Sequence, residues 1–213
     1  MSIRPLPLLL LLSAGICRAG TLEVRINDAK GSAVADAVLT LTPLDNTGNG
    51  IKPAPEVRQI DQRDERFVPY VEVFKPGDQV VFHNSDGTQH HAYSFAPEAT
   101  FEMVLKPGEA SQPITLPNSG TIAVGCNIHD NMITYLVVSE APWFGRSSED
   151  GHWRVDDLPA GRYRLTAWHP QIRPAGKPLV REIDAGDGAS KIELTLELGP
   201  DPRGEHDRER LDY

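Results

Sequence analysis

Cysteine is scarce in this sequence, long apolar runs are missing, and there is no excess of positive charge. Only Cys17 and Cys126 occur among 213 residues, too few for a disulfide-stapled scaffold. No stretch reaches 18 apolar residues, which excludes a transmembrane segment in the mature protein. The formal net charge is −9, and a surface of that sign repels phosphate, so nucleic acid is excluded as a partner. The 18 glycines and 18 prolines are scattered, which excludes collagen-like and proline-rich disordered chains. Almost nothing carries the period of an amphipathic helix.

What is present begins with Arg4, an apolar block from Leu6 to Ile16, and Cys17-Arg18-Ala19. This is the layout of a secretory signal peptide over residues 1–19, cleaved after Ala19. Its removal takes two positive charges and one cysteine from the chain. Cys126 is then a lone thiol in an exported, oxidising compartment, read here as the periplasm. It can form no internal disulfide there and needs protection from oxidation.

The body reads as short strands between turns. Thr21–Ile26 alternates polar and apolar, and Val38–Thr42 follows the Lys30-Gly31-Ser32 turn. Asp45–Pro55 is a polar linker. Further strands are expected at Tyr70–Phe74, Gln79–His83, Tyr93–Phe95, Thr121–Gly125 and Ile133–Val138, punctuated by Lys75-Pro76-Gly77-Asp78, Lys106-Pro107-Gly108-Glu109 and Asn118-Ser119-Gly120. The pattern then restarts: Asp150-Gly151, Trp153 and Val155 in alternation, Leu158-Pro159-Ala160-Gly161, an aromatic strand Arg162–Trp168, and Lys191–Leu198. That run, with residues 21–44, resembles a transthyretin-like, carboxypeptidase-regulatory β-sandwich. The expected map is a discontinuous sandwich from residues 20–50 plus 145–199, a second domain over 55–141, and a charged disordered tail over 200–213.

The informative segment is Cys126-Asn127-Ile128-His129-Asp130-Asn131-Met132. It joins two strands, so it is a tight loop at a sheet end. A thiolate, an imidazole and a thioether within seven residues suit copper, which cycles between a soft monovalent and a harder divalent state. A trigonal site needs another imidazole, and Asn84…His90-His91 supplies one at the start of a neighbouring strand. Structural zinc prefers more cysteines and does not recruit methionine. A two-cysteine binuclear copper centre lacks its second cysteine. A Cys–His protease dyad lacks an orienting third group.

Residues 59–139 resemble a cupredoxin of the plastocyanin and amicyanin kind. The likeness rests on Phe67-Val68-Pro69, Pro76-Gly77-Asp78-Gln79-Val80-Val81-Phe82, Asn84…His90 and the Cys-x2-His-x2-Met loop. The whole chain is similar to exported proteins of the methylamine-utilisation type. The resemblance implies an all-β fold, with a cupredoxin Greek-key β-sandwich inserted into the transthyretin-like one. It implies one copper ion, cycling between Cu(I) and Cu(II), with His90, Cys126 and His129 as equatorial ligands and Met132 as the long axial one. His91 and Ile128 depart from the usual Asn and Pro of such chains.

Alternation leaves His90 and His91 in competition, since only one of two adjacent strand residues faces the site. Spacing from Phe82 and Asn84 favours His90. If Tyr93 and Phe95 are core, a bulge after the ligand is needed to reconcile them. The expected function is a periplasmic one-electron carrier serving a redox partner protein, and not an enzyme. The rivals are a Cu(I) carrier or storage protein, and an interaction module with a vestigial copper site.

Overall fold

The computed structural model describes residues 19–45, 54–174 and 176–203. The proposed signal peptide, all but its last residue, lies outside these, as do Cys17, most of the polar linker, and residues 204–213. The described chain is all-β, with sixteen strands. In chain order they are β1 (Gly20–Asp28), β2 (Val38–Pro43), β3 (Val57–Arg63), β4 (Arg66–Val68), β5 (Val71–Phe74) and β6 (Gln79–Asn84). Then come β7 (His90–Ala96), β8 (Ala99–Leu105), β9 (Ile114–Thr115), β10 (Gly120–Cys126) and β11 (Ile133–Val138). The last are β12 (Trp143–Arg146), β13 (His152–Leu158), β14 (Gly161–Trp168), β15 (Leu179–Ala185) and β16 (Ala189–Leu196). No helix among the described residues is long and apolar enough to cross a membrane.

The strands form four sheets, which pack as two sandwiches, one inserted into the other. The outer sandwich pairs the sheet β13-β1-β16 with the sheet β12-β2-β14-β15. Alternation drives it: Leu22, Val24 and Ile26 of β1 are wholly buried against Leu39, Leu41, Leu165 and Leu196. The turn after β1 is set by Asp28, whose Oδ1 accepts the N–H groups of Lys30 and Ser32, both at 2.8 Å. The inner sandwich pairs β4-β3-β6-β9 with β5-β11-β10-β7-β8 around Ile60, Phe74, Phe82, Leu116, Ile122 and Leu136. Its two ends are brought together by the outer sheet, where Leu41 of β2 pairs with Trp143 of β12.

The sandwiches share a third cluster. Val38 of the outer one packs with Tyr70, Val71 and Val73 of the inner one, with Tyr135, Phe144 and Trp168 at its margin. Tyr70 meets Tyr135 edge-on at 5.7 Å between centroids, and Tyr135 meets Trp168 at 6.0 Å.

Two expectations are corrected, and strands β3, β8, β9, β12 and β15 are added to those expected. Strand β3, just past the linker, is obscured because Arg-Gln-Ile-Asp-Gln-Arg offers one apolar residue. Tyr93 and Phe95 are not core: Phe95 is 76% exposed, and His90, Ala92 and Ser94 point inward instead. The register of β7 on β8 runs unbroken from His90↔Leu105 to Ala96↔Ala99, so no bulge is needed. Finally, the charged tail is packed at its start. The Arg203 guanidinium lies 3.4 Å over the Tyr70 ring and pairs with Asp201 at 2.7 Å, which gives a polar segment a place to bind.

Candidate metal centre

One end of the inner sandwich is built by polar residues that the apolar pattern does not explain. Asn84, wholly buried, closes β6. Its Nδ2 donates to the carbonyls of Thr88 and Leu105, both at 2.9 Å, and its Oδ1 accepts the Asp86 N–H at 2.9 Å. This folds the connection to β7 so that His90 enters the strand facing inward, with no solvent exposure. His91 faces out, its Nε2 2.7 Å from Glu102 Oε1.

Cys126 closes β10, 6% exposed. The loop after it is cinched by two backbone bonds, Cys126 N–H to Met132 O and Met132 N–H to His129 O, both at 3.1 Å. Asn127 N–H also donates to His91 O at 2.9 Å, tying the loop to β7. The tight loop folds His129 back toward the sulfur and leaves Met132 buried in the same cluster as Cys126. Cys126 Sγ lies 3.8 Å from His90 Nδ1 and 3.9 Å from His129 Nδ1. The three ligand atoms all lie within 4.8 Å of one another.

These distances fit a metal ion. Metal–sulfur bonds of about 2.3 Å and metal–nitrogen bonds of about 2.0 Å put sulfur and nitrogen about 3.8 Å apart across a trigonal ion. The donor set of one thiolate and two imidazoles is that of a mononuclear copper site with a weak axial donor. A neutral imidazole must present a lone pair, and the surroundings select it. His90 Nε2 is 2.7 Å from Asp86 Oδ2, so Nε2 carries the proton and Nδ1 faces the sulfur.

Asp86 also accepts the N–H groups of Asp64 at 2.6 Å and Glu65 at 3.1 Å. Burial would raise its pKa, but the His90 bond and these two backbone bonds outweigh it and hold the carboxyl below the usual range. Glu65 Oε1 in turn stands 3.8 Å from His129 Nε2. Neither Asp86 nor Glu65 stands out in the sequence. The one signal for Asp86 is its place four residues before His90; nothing local marks Glu65.

No protein-family model matches the chain, and no curated protein does. Among solved structures, the purple cupredoxin from Nitrosopumilus maritimus is 18% identical, covers 38% of this chain and 98% of its own, and has a TM-score of 0.34. A reduced, singly substituted amicyanin is 19% identical over 49% of this chain and 99% of its own, with a TM-score of 0.36. The copper-containing nitrite reductase from Thermus scotoductus is 23% identical over 46% of this chain but only 25% of its own length, with a TM-score of 0.35. The fold described above rests on its own strand order and register, and the site on its own distances.

Proposed function

We propose that this chain is an exported mononuclear copper protein that carries one electron at a time between protein partners. The observation that carries the proposal is the convergence of Cys126 Sγ with the Nδ1 atoms of His90 and His129 at one sandwich end. His90, Cys126 and His129 would hold the ion, with Met132 as the weak axial donor. Bound copper supplies one-electron chemistry between Cu(I) and Cu(II). The chain supplies a rigid frame: His90 on β7 and Cys126 on β10 belong to hydrogen-bonded neighbours in one sheet.

Burial answers the problem of the lone thiol, since Cys126 is screened from oxidants. His129 keeps 23% of its side chain exposed, so among the ligand residues its edge is the one a partner can approach. Of the residues that would hold the ion, His90, Cys126 and Met132 are buried, which supports a carrier over an enzyme. An acidic chain steers toward a partner with a basic surface, and the N-terminal residues favour the periplasm.

The test is the visible spectrum and voltammetry of the mature protein titrated with Cu(II). Intense thiolate-to-copper absorption with a reversible one-electron wave is the expected result. A colourless protein that takes up Cu(I) alone would instead indicate copper delivery or storage, and no copper uptake at all would leave an interaction module.

A further inference from the structure

The turn between β3 and β4 breaks a local rule beside the metal centre. Arg63 pairs with Arg66, so Asp64 and Glu65 form a two-residue hairpin loop. Both have positive φ, 54° and 56°. A loop of this shape favours Asn-Gly, because a residue bearing Cβ is disfavoured in the left-handed region. Asp-Glu is a poor sequence for it. Something outside the hairpin must hold the shape, and something must be gained by doing without glycine at 65.

Both answers are on the site. The two successive N–H groups of the loop form a small anion-binding concavity, and the Asp86 carboxylate fills it, with its remaining bond on His90. In that loop conformation the Glu65 carboxylate reaches the outer edge of His129, on the side away from the sulfur. A glycine would suit the backbone and leave His129 without this charge. One carboxylate thus braces His90 directly and, through the turn, sets a second carboxylate against His129.

Resting on the copper reading above, we propose that Asp86 is a positioning residue that holds the Asp64–Glu65 turn so that Glu65 stays against His129. The pair of carboxylates on the two imidazoles favours the more highly charged Cu(II) state over Cu(I). Removing either charge therefore raises the reduction potential, and the two effects are coupled because Glu65 depends on Asp86 for its place.

Four proteins test this: wild type, Asp86→Asn, Glu65→Gln and the double variant. In the copper-free state, hydrogen exchange at the Asp64 and Glu65 amides is expected to quicken about tenfold in Asp86→Asn, through loss of charge-assisted bonds. It should be unchanged in Glu65→Gln. In the copper-loaded state, Asp86→Asn is expected to weaken the preference for Cu(II) about tenfold, which is about 59 mV for one electron. Glu65→Gln should shift the potential the same way by less, and the double variant by less than the sum of the two. Strict additivity of the potentials, or unchanged exchange in Asp86→Asn, overturns the proposal. A wild-type protein that takes up no copper sinks the copper reading instead, while the exchange measurement, which needs no metal, still decides whether Asp86 holds the turn.

Discussion

In the proposed copper centre Cys126 and His90 have different roles. A serine hydroxyl at 126 stays protonated near neutral pH and is a hard donor, so Cys126→Ser is expected to abolish the thiolate–copper absorption. The swap is nearly isosteric in a residue 6% exposed, so the copper-free circular dichroism should be unchanged. A variant that kept the colour and the copper affinity would refute the site. The paired substitutions at 90 and 91 separate two neighbours on opposite faces of β7. His90→Ala should lose the copper absorption and His91→Ala should keep it; the reverse result would move the ligand to His91. The thiol, thioether and imidazoles are legible in the sequence because their chemistry is rare and their spacing compact. Asp86 and Glu65 are not, because a carboxylate on a polar loop looks like any solvated acid until its partners are placed.

Strands with one inward face are readable where alternation is clean, as in β1 and β6, and unreadable where it is not. Strand β3 is the clearest failure. It pairs in parallel with β6, Gln62 beside Asn84, yet only Ile60 of its interior is apolar. Gln62 is wholly buried, and neither atom of its amide has a hydrogen-bond partner among the described residues. An orphaned buried amide costs free energy that an apolar side chain of similar volume does not. Gln62→Leu is therefore expected to stabilise the copper-free protein by about 1 kcal/mol. Urea unfolding measures it, and a loss of stability would show that the amide is satisfied after all. Strand β7 misleads in the opposite sense. Its aromatics look like core, but the outer face of a sheet also accepts aromatic residues, and His90, Ala92 and Ser94 fill the interior.

Across the whole molecule, the junction between the sandwiches determines how far each depends on the other. If the outer one is self-sufficient, replacing residues 55–141 by a short Gly/Ser linker should leave a folded β-module. Closing the shorter loop costs less entropy, and β2 still finds β12. An unfolded product by circular dichroism and proteolysis would instead show one merged core. The junction also carries a pH dependence. His169 is 4% exposed, beside the Tyr70 ring at 6.3 Å, and burial lowers its pKa to about 4 against the pull of Asp36. The nearby Arg203 adds to the lowering, and Asp201 opposes it. The unfolded chain, with an imidazole pKa of about 6.5, binds the proton more readily, so stability is lost as pH falls from about 6.5 toward 4. The loss is on the order of 3 kcal/mol. Denaturant unfolding at pH 7 and 4.5 should show it in the wild type and much less of it in His169→Asn. Equal losses in both would place the sensitivity elsewhere.

The crossing of β1 between two late strands has a consequence in time. Thr21 bonds to Asp156 across 135 residues, and β1 lies parallel to β16, near the end of the described chain. The inner sandwich instead contains local hairpins, β7 with β8 and β10 with β11. Non-local pairing is slow because loop closure comes before any contact compensates for it. The insert is thus expected to fold first, and its compaction to shorten the search that β1 must make. Nature has labelled the two stages separately. All three tryptophans, Trp143, Trp153 and Trp168, sit on outer strands, so their fluorescence follows the outer sandwich and, through Trp168 against Tyr135, its docking on the insert, while the proposed copper centre would report the early stage.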